Sequence, residues 1–211
     1  MPYQFLVDTY ETECIKVVSV WSQFRDEDLE VLPRSGDPRG RSVHEQMVHQ
    51  CVSEDAWFRN MLGIDVAAPP LPKEESRLAF MKRYAEDSAK RLDALRQKAD
   101  PWWEQDTNFF DVRRSRAWVM TRRLTHTSHH RGQLMAMLRM LGHDVHSNCA
   151  QKRFARWLGR LRPLDYAGVG RAVARWQPFA GLVYFHLLLD GLSQTGALES
   201  TSGTCIEGVH H

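Results

Sequence analysis

His126 and His130 lie four residues apart in a stretch of helical periodicity. One helical turn separates them, so both imidazoles project from the same face and can share one divalent cation. Spacing alone is a weak signal, and the face they occupy strengthens it. At about 100° per residue they fall in the arc of Val119, Leu134, Met137 and Leu141, the side a bundle turns inward. A lone buried histidine is ordinarily satisfied by hydrogen bonds. For two adjacent imidazoles, unpaired ring nitrogens would cost roughly 1–3 kcal/mol each, whereas a cation satisfies both at once. His129 lies about 100° around the helix from His130 and is poorly placed to reach the same ion.

A catalytic metal site commonly takes three protein ligands and keeps one position open. The third should come from a facing helix, where the candidates are His44 and His49. Five residues separate them, so they cannot point to one spot. The run His44-Glu45-Gln46-Met47-Val48-His49 misses the His-Glu-x-x-His zinc protease pattern by one residue. Periodicity leaves the choice open: His44 lies nearer the Met47, Cys51, Phe58 stripe, and His49 lies beside Val48, Val52 and Ala56.

Several neighbours could serve such a site. Arg123 falls near the ligand face and could meet an anionic substrate or cofactor, although long arginines at bundle ends commonly reach back to water. Gln133 is placed either to hydrogen-bond a ligand and touch a bound cofactor or simply to form helix. Glu54 is read as orienting a ligand. The Trp102, Trp103, Phe109, Phe110 cluster reads as a lid over the core more than as the mouth of a substrate cleft.

These residues need long helices to position them. From about Gln4 to Arg25 the apolar positions Leu6, Tyr10, Cys14, Val17, Val18, Trp21 and Phe24 recur at three- and four-residue steps, which predicts an amphipathic helix. Ser42 can cap a second helix, with Glu45 closing a capping box, and Gly63 stops it after Leu62. A third follows Lys73-Glu74-Glu75 and carries Leu78, Met81, Tyr84, Leu92 and Leu95 on one stripe. Residues 100–110 read as a long loop, and a fourth helix is expected from about Val112 to Leu141, ended by Gly142. With no convincing alternating segment, the fold class is all-α, a four-helix bundle.

The run His126-Thr127-Ser128-His129-His130-Arg131-Gly132-Gln133-Leu134 resembles the signature in the last bundle helix of the DinB/YfiT-like family of metal-dependent enzymes. Members typically carry a further histidine on helix two, followed five residues later by Glu and then an aromatic, which His49, Glu54 and Trp57 reproduce. The resemblance spans roughly residues 1–148. It implies up-down-down-up connectivity, a homodimer, and His49, His126 and His130 as ligands of one divalent ion, zinc or nickel first. It also implies a reaction in which a low-molecular-weight thiol, or water, is activated toward a small electrophilic substrate. The alternative is a non-catalytic, metal-binding, dimeric stress-response module.

Composition bounds the remainder. The 211 residues hold 28 basic and 26 acidic side chains, too balanced for a chain-wide polyanion partner. The four cysteines form no Cys-x-x-Cys pair and read as free thiols of a reducing compartment. The amino-terminal residues lack the pattern of a signal peptide, and the longest apolar run, Leu182 to Leu189, is too short to span a bilayer, so a cytoplasmic location is expected. Residues 149–211 read as a basic, irregular extension with one short helix over Leu182 to Leu192. Its arginines, from Arg153 to Arg175, make nucleic-acid binding a minor possibility.

Overall fold

The computed structural model describes residues 2–36, 39–143, 155, 157–162, 164 and 166–174. Helix α1 (Gln4–Trp21) buries Leu6, Tyr10, Val17, Val18 and Trp21 of the predicted stripe, with Val7 buried beside them and Cys14 half-buried. Helix α2 (Val43–Asn60) starts at the Ser42 capping box: Ser42 Oγ accepts from Glu45 N at 3.2 Å, and Glu45 Oε2 accepts from Ser42 N at 2.7 Å. Two orphan amides of the first turn are thereby satisfied.

Helix α3 (Arg77–Arg96) follows Lys73-Glu74-Glu75 as expected, and Ser76 is its N-cap, accepting from Ala79 N. Between α3 and the last bundle helix the expected loop is ordered differently. A short helix, α4 (Asp100–Glu104), leads into an antiparallel hairpin of β1 (Asp106–Phe109) and β2 (Val112–Ser115). Phe109 pairs with Val112, so Phe110 and Asp111 form a two-residue turn, and Phe110 takes the left-handed φ of 53° that such turns require at their first loop residue. The strands carry no alternation and the turn no Asn-Gly pair, which is why the sequence gives no hairpin signal. Helix α5 (Arg116–Met140) therefore starts at its Ser115 cap rather than at Val112. It closes on Gly142, whose φ of 73° lets Gly142 N and His143 N reach the carbonyls of Arg139 and Leu138.

Helix α1 packs against α3 and α5, and α2 packs against the same two from the other side. One apolar cluster joins Val17, Val18 and Trp21 of α1 and Leu134, Met137 and Leu138 of α5 to Val43 and Met47 of α2 and Phe80, Met81 and Tyr84 of α3. The other joins Leu6, Val7 and Tyr10 of α1 and Val119, Met120 and Leu124 of α5 to Phe58 of α2 and Leu92 and Leu95 of α3. Helices α1 and α5 thus run one way, and α2 and α3 the other. Along α2, α3 and α5 the positions between the two clusters are polar: Glu54, Ser88, Arg91, Arg123, Thr127 and His130 are all buried there. His130, one of the candidate ligands, lies in that layer.

Beyond the bundle, helix α6 (Tyr166–Val173) stands in a region expected to be irregular. Its Gly168 and Gly170 each weaken helix formation by about 1 kcal/mol, which hid it from a reading by period; burial of Val169 shows tertiary context prevailing. The helix expected over Leu182 to Leu192 lies outside the described residues. No helix among the described residues is long and apolar enough to cross a membrane.

Candidate metal centre

Helix α2 contributes His49, and α5 contributes His126 and His130 one turn apart. Their Nε2 atoms form a triangle: 3.4 Å from His49 to His126, 3.1 Å from His49 to His130, and 3.2 Å from His130 to His126. Nitrogens on one face of a tetrahedron around zinc, each about 2.0–2.1 Å from the ion, lie about 3.3–3.4 Å apart. The donor set therefore fits a divalent cation with a fourth position left over.

The far side of each ring decides which nitrogen offers a lone pair. His130 Nδ1 lies 2.9 Å from Gln46 Oε1 and 2.9 Å from Gln133 Oε1, so it donates to them and leaves Nε2 free to bind. Gln46 Nε2 donates to Gln133 Oε1 at 3.2 Å and ties the two amides together. Trp57 stacks on the His126 ring at 5.6 Å and is itself covered edge-on by Phe109 of the hairpin at 5.2 Å. The aromatic hairpin thus packs through Phe109 and Trp57 beside His126.

Arg123 does not face an open cleft, nor does it reach to water. It is 0% exposed, with Nη2 3.1 Å from Glu54 Oε2 and Nη1 3.0 Å from Ser53 Oγ. Both arginine readings from sequence, an anion-binding side chain or one that reaches solvent, give way to a buried ion pair. Glu54 is the hub of that pair. It accepts from Tyr10 Oη at 2.6 Å, Tyr84 Oη at 2.8 Å, Ser88 Oγ at 3.4 Å and Arg91 Nη1 at 3.4 Å as well as from Arg123. It touches no histidine directly and acts on the site through Arg123. Gln133 Oε1 orients His130 by accepting from its Nδ1.

His44 turns away, with Nε2 2.7 Å from Glu75 Oε2 and its ring edge-on to Phe80. His129 is exposed, with its ring edge-on to that of His130 at 5.1 Å. Gln46, Ser53, Arg91, Tyr10 and Tyr84 were not singled out by sequence reasoning. Gln46 alone carried a usable signal, a polar residue on a buried stripe one turn before His49.

Burial, the Arg123 cation and the neighbouring imidazoles hold the His126 pKa down at about 3. Burial and His49 hold His130 at about 4, against an opposing pull from Gln133. Burial, with Arg41 and Arg123, lowers His49 as well. All three rings are neutral at neutral pH, the form that binds metal. Burial pushes Glu54 up, but Arg123, Arg91 and the tyrosine hydroxyls outweigh it and keep the carboxylate below its usual range. Burial raises the Cys14 and Cys51 thiols far above the ordinary thiol range, which disfavours the reactive thiolate in both.

The helical bundle with a cluster of three imidazoles between facing helices, one that could hold a metal ion, defines the class. The DinB family model matches residues 16–157, and the chain belongs to the DinB family. Among solved structures, a DinB-like protein from Bacillus cereus ATCC 10987 shares the fold, with a TM-score of 0.55 and 20% identity over 66% of this chain and 91% of that one. No curated protein matches the chain.

Proposed function

We propose that the protein is a divalent-metal-dependent enzyme in which His49, His126 and His130 hold one ion, zinc or nickel. The reaction is transfer of a small thiol to, or hydrolysis of, a small electrophilic substrate. The carrying observation is the Nε2 triangle of 3.1–3.4 Å sides formed by three neutral imidazoles. Three ligands leave a coordination position open, whereas structural zinc sites are closed by four. When bound, such an ion supplies Lewis-acid activation of a thiol or water at neutral pH.

The chain's own residues have defined parts in this reading. Gln46 and Gln133 fix the His130 ring with its lone pair facing the cluster. Trp57, under Phe109, shields one side of His126 from water. Burial disfavours the thiolates of Cys14 and Cys51, so in this reading the nucleophile is the incoming thiol or water rather than either cysteine. A cytoplasmic homodimer belongs to the same proposal.

Calorimetric titration with zinc and nickel, followed by turnover assays across panels of low-molecular-weight thiols and electrophiles, tests it. The expected result is one ion per chain and turnover that requires it. Tight binding without turnover across broad panels would instead support the non-catalytic stress-response module.

A further inference from the structure

His126 and His130 aim Nε2 at the same point, yet their far nitrogens meet opposite chemistry. His130 Nδ1 faces two amide oxygens at 2.9 Å and must carry the proton. His126 Nδ1 lies 3.3 Å from Arg123 Nη1. A guanidinium only donates, so this nitrogen accepts, and the neutral ring then carries its proton on Nε2. That proton points into the cluster, toward His130 Nε2 at 3.2 Å and His49 Nε2 at 3.4 Å.

Arg123 is held where it is. Its Nη2 is paired with Glu54, its guanidinium lies 5.8 Å over the Trp57 ring, and the same Trp57 stacks on His126. Glu54 in turn is fixed by Tyr10 and Tyr84. Metal-binding histidines ordinarily give their far N–H to a carboxylate or carbonyl, which raises ligand basicity. At His126 that partner is a buried cation.

We infer that Arg123 is a positioning residue that holds His126 as the Nε2–H tautomer, opposite to His130, and so makes His126 the weak arm of the three. For His126 to bind through Nε2, one proton leaves Nε2, one arrives at Nδ1, and Arg123 Nη1 gives up Nδ1 and keeps Ser53 Oγ as its acceptor. The net proton count of the ring is unchanged. Helix α5 thus carries one imidazole prepared for a cation and one that must rearrange to take it. Only the affinity part of the test below rests on the proposed function.

Long-range 1H–15N NMR of the 15N-labelled full chain at neutral pH, treated with chelator, reads the tautomers directly, with His126→Asn identifying the resonances. His126 should show a protonated Nε2 and His130 a protonated Nδ1; a protonated Nδ1 on His126 overturns the inference without any variant. Arg123→Met should move His126 to the Nδ1–H form and tighten zinc, read by competition with a chromophoric chelator, by on the order of tenfold, the range of one hydrogen bond to a charged group. Arg123→Lys, which keeps a cationic donor, should stay close to wild type. A merely structural arginine predicts the reverse, weaker zinc binding in Arg123→Met. Should that variant not fold, Ser53→Ala removes the alternative acceptor of Nη1 and should weaken zinc several-fold with the His126 tautomer unchanged; unaltered affinity there counts against the inference. Absence of zinc binding in wild type would sink the proposed function while leaving the tautomer result to stand on the spectrum.

Discussion

Glu54→Gln removes one charge and almost no volume from the polar layer, which makes it the sharpest probe of how that layer is held. The carboxylate is 0% exposed and accepts five hydrogen bonds from Tyr10, Tyr84, Ser88, Arg91 and Arg123. Removing one partner of a buried ion pair costs about 3–5 kcal/mol, because the remaining charge stays buried without compensation. Arg91 retains Asp55 at 3.4 Å, whereas Arg123 has no other carboxylate within ion-pair distance among the described residues. The lower end, about 3 kcal/mol, is therefore expected. With a urea slope of about 2 kcal/mol per molar, the unfolding midpoint should fall by about 1.5 M at unchanged slope. Circular dichroism across a urea series reads this directly. Glu86→Gln serves as the control, since its contact with Lys82 is long, 4.0 Å, and solvent-screened. A midpoint shift in Glu54→Gln no larger than that of the control would refute the view of Glu54 as the electrostatic hub.

Because the folded pKa values of His126 and His130 lie at about 3 and about 4, below the unfolded value of about 6.5, the unfolded chain binds more protons between those limits. The stability these rings contribute is present above about pH 6.5 and is lost as pH falls toward 4. Without added metal, the urea midpoint of the wild type should therefore drop more steeply from pH 7 to 4 than that of a His126→Gln, His130→Gln double variant; parallel profiles would contradict this. Gln133→Leu removes one of the two acceptors that orient His130 and should weaken zinc binding by on the order of tenfold in chelator competition, and unchanged affinity would count against the orienting role. Ser42→Ala deletes the α2 cap and should cost about 1 kcal/mol in urea unfolding, with no loss expected only if the capping box were idle.

How much of this is legible in the sequence differs from residue to residue. The i, i+4 spacing and inward arc of His126 and His130 are properties of one helix, so local pattern shows them. The choice between His44 and His49 depends on how α2 is rotated against α5, which periodicity left open and the family resemblance supplied. Their separate environments, His44 on Glu75 and His49 in the triangle, appear only once the helices are packed. Arg123 resisted reading for a related reason: a long cation is by default a surface group, and its burial is supported by Glu54 and Ser53 on another helix. The helical stripes and the Ser42 and Gly142 boundaries follow from local capping and propensity. The hairpin does not, since Phe110-Asp111 is an unusual turn pair whose strands hold their place through packing of Phe109 on Trp57 and Trp118.

Metal content is the most direct test of the central claim that three imidazoles are organised around an ion. Elemental analysis of protein purified without chelator and without a metal-leaching affinity column should find one divalent ion per chain, and His130→Ala, folded by circular dichroism, should have lost it. Wild-type protein without stoichiometric metal even after equilibration with zinc and nickel, or a His130→Ala variant retaining the full complement, would contradict the account.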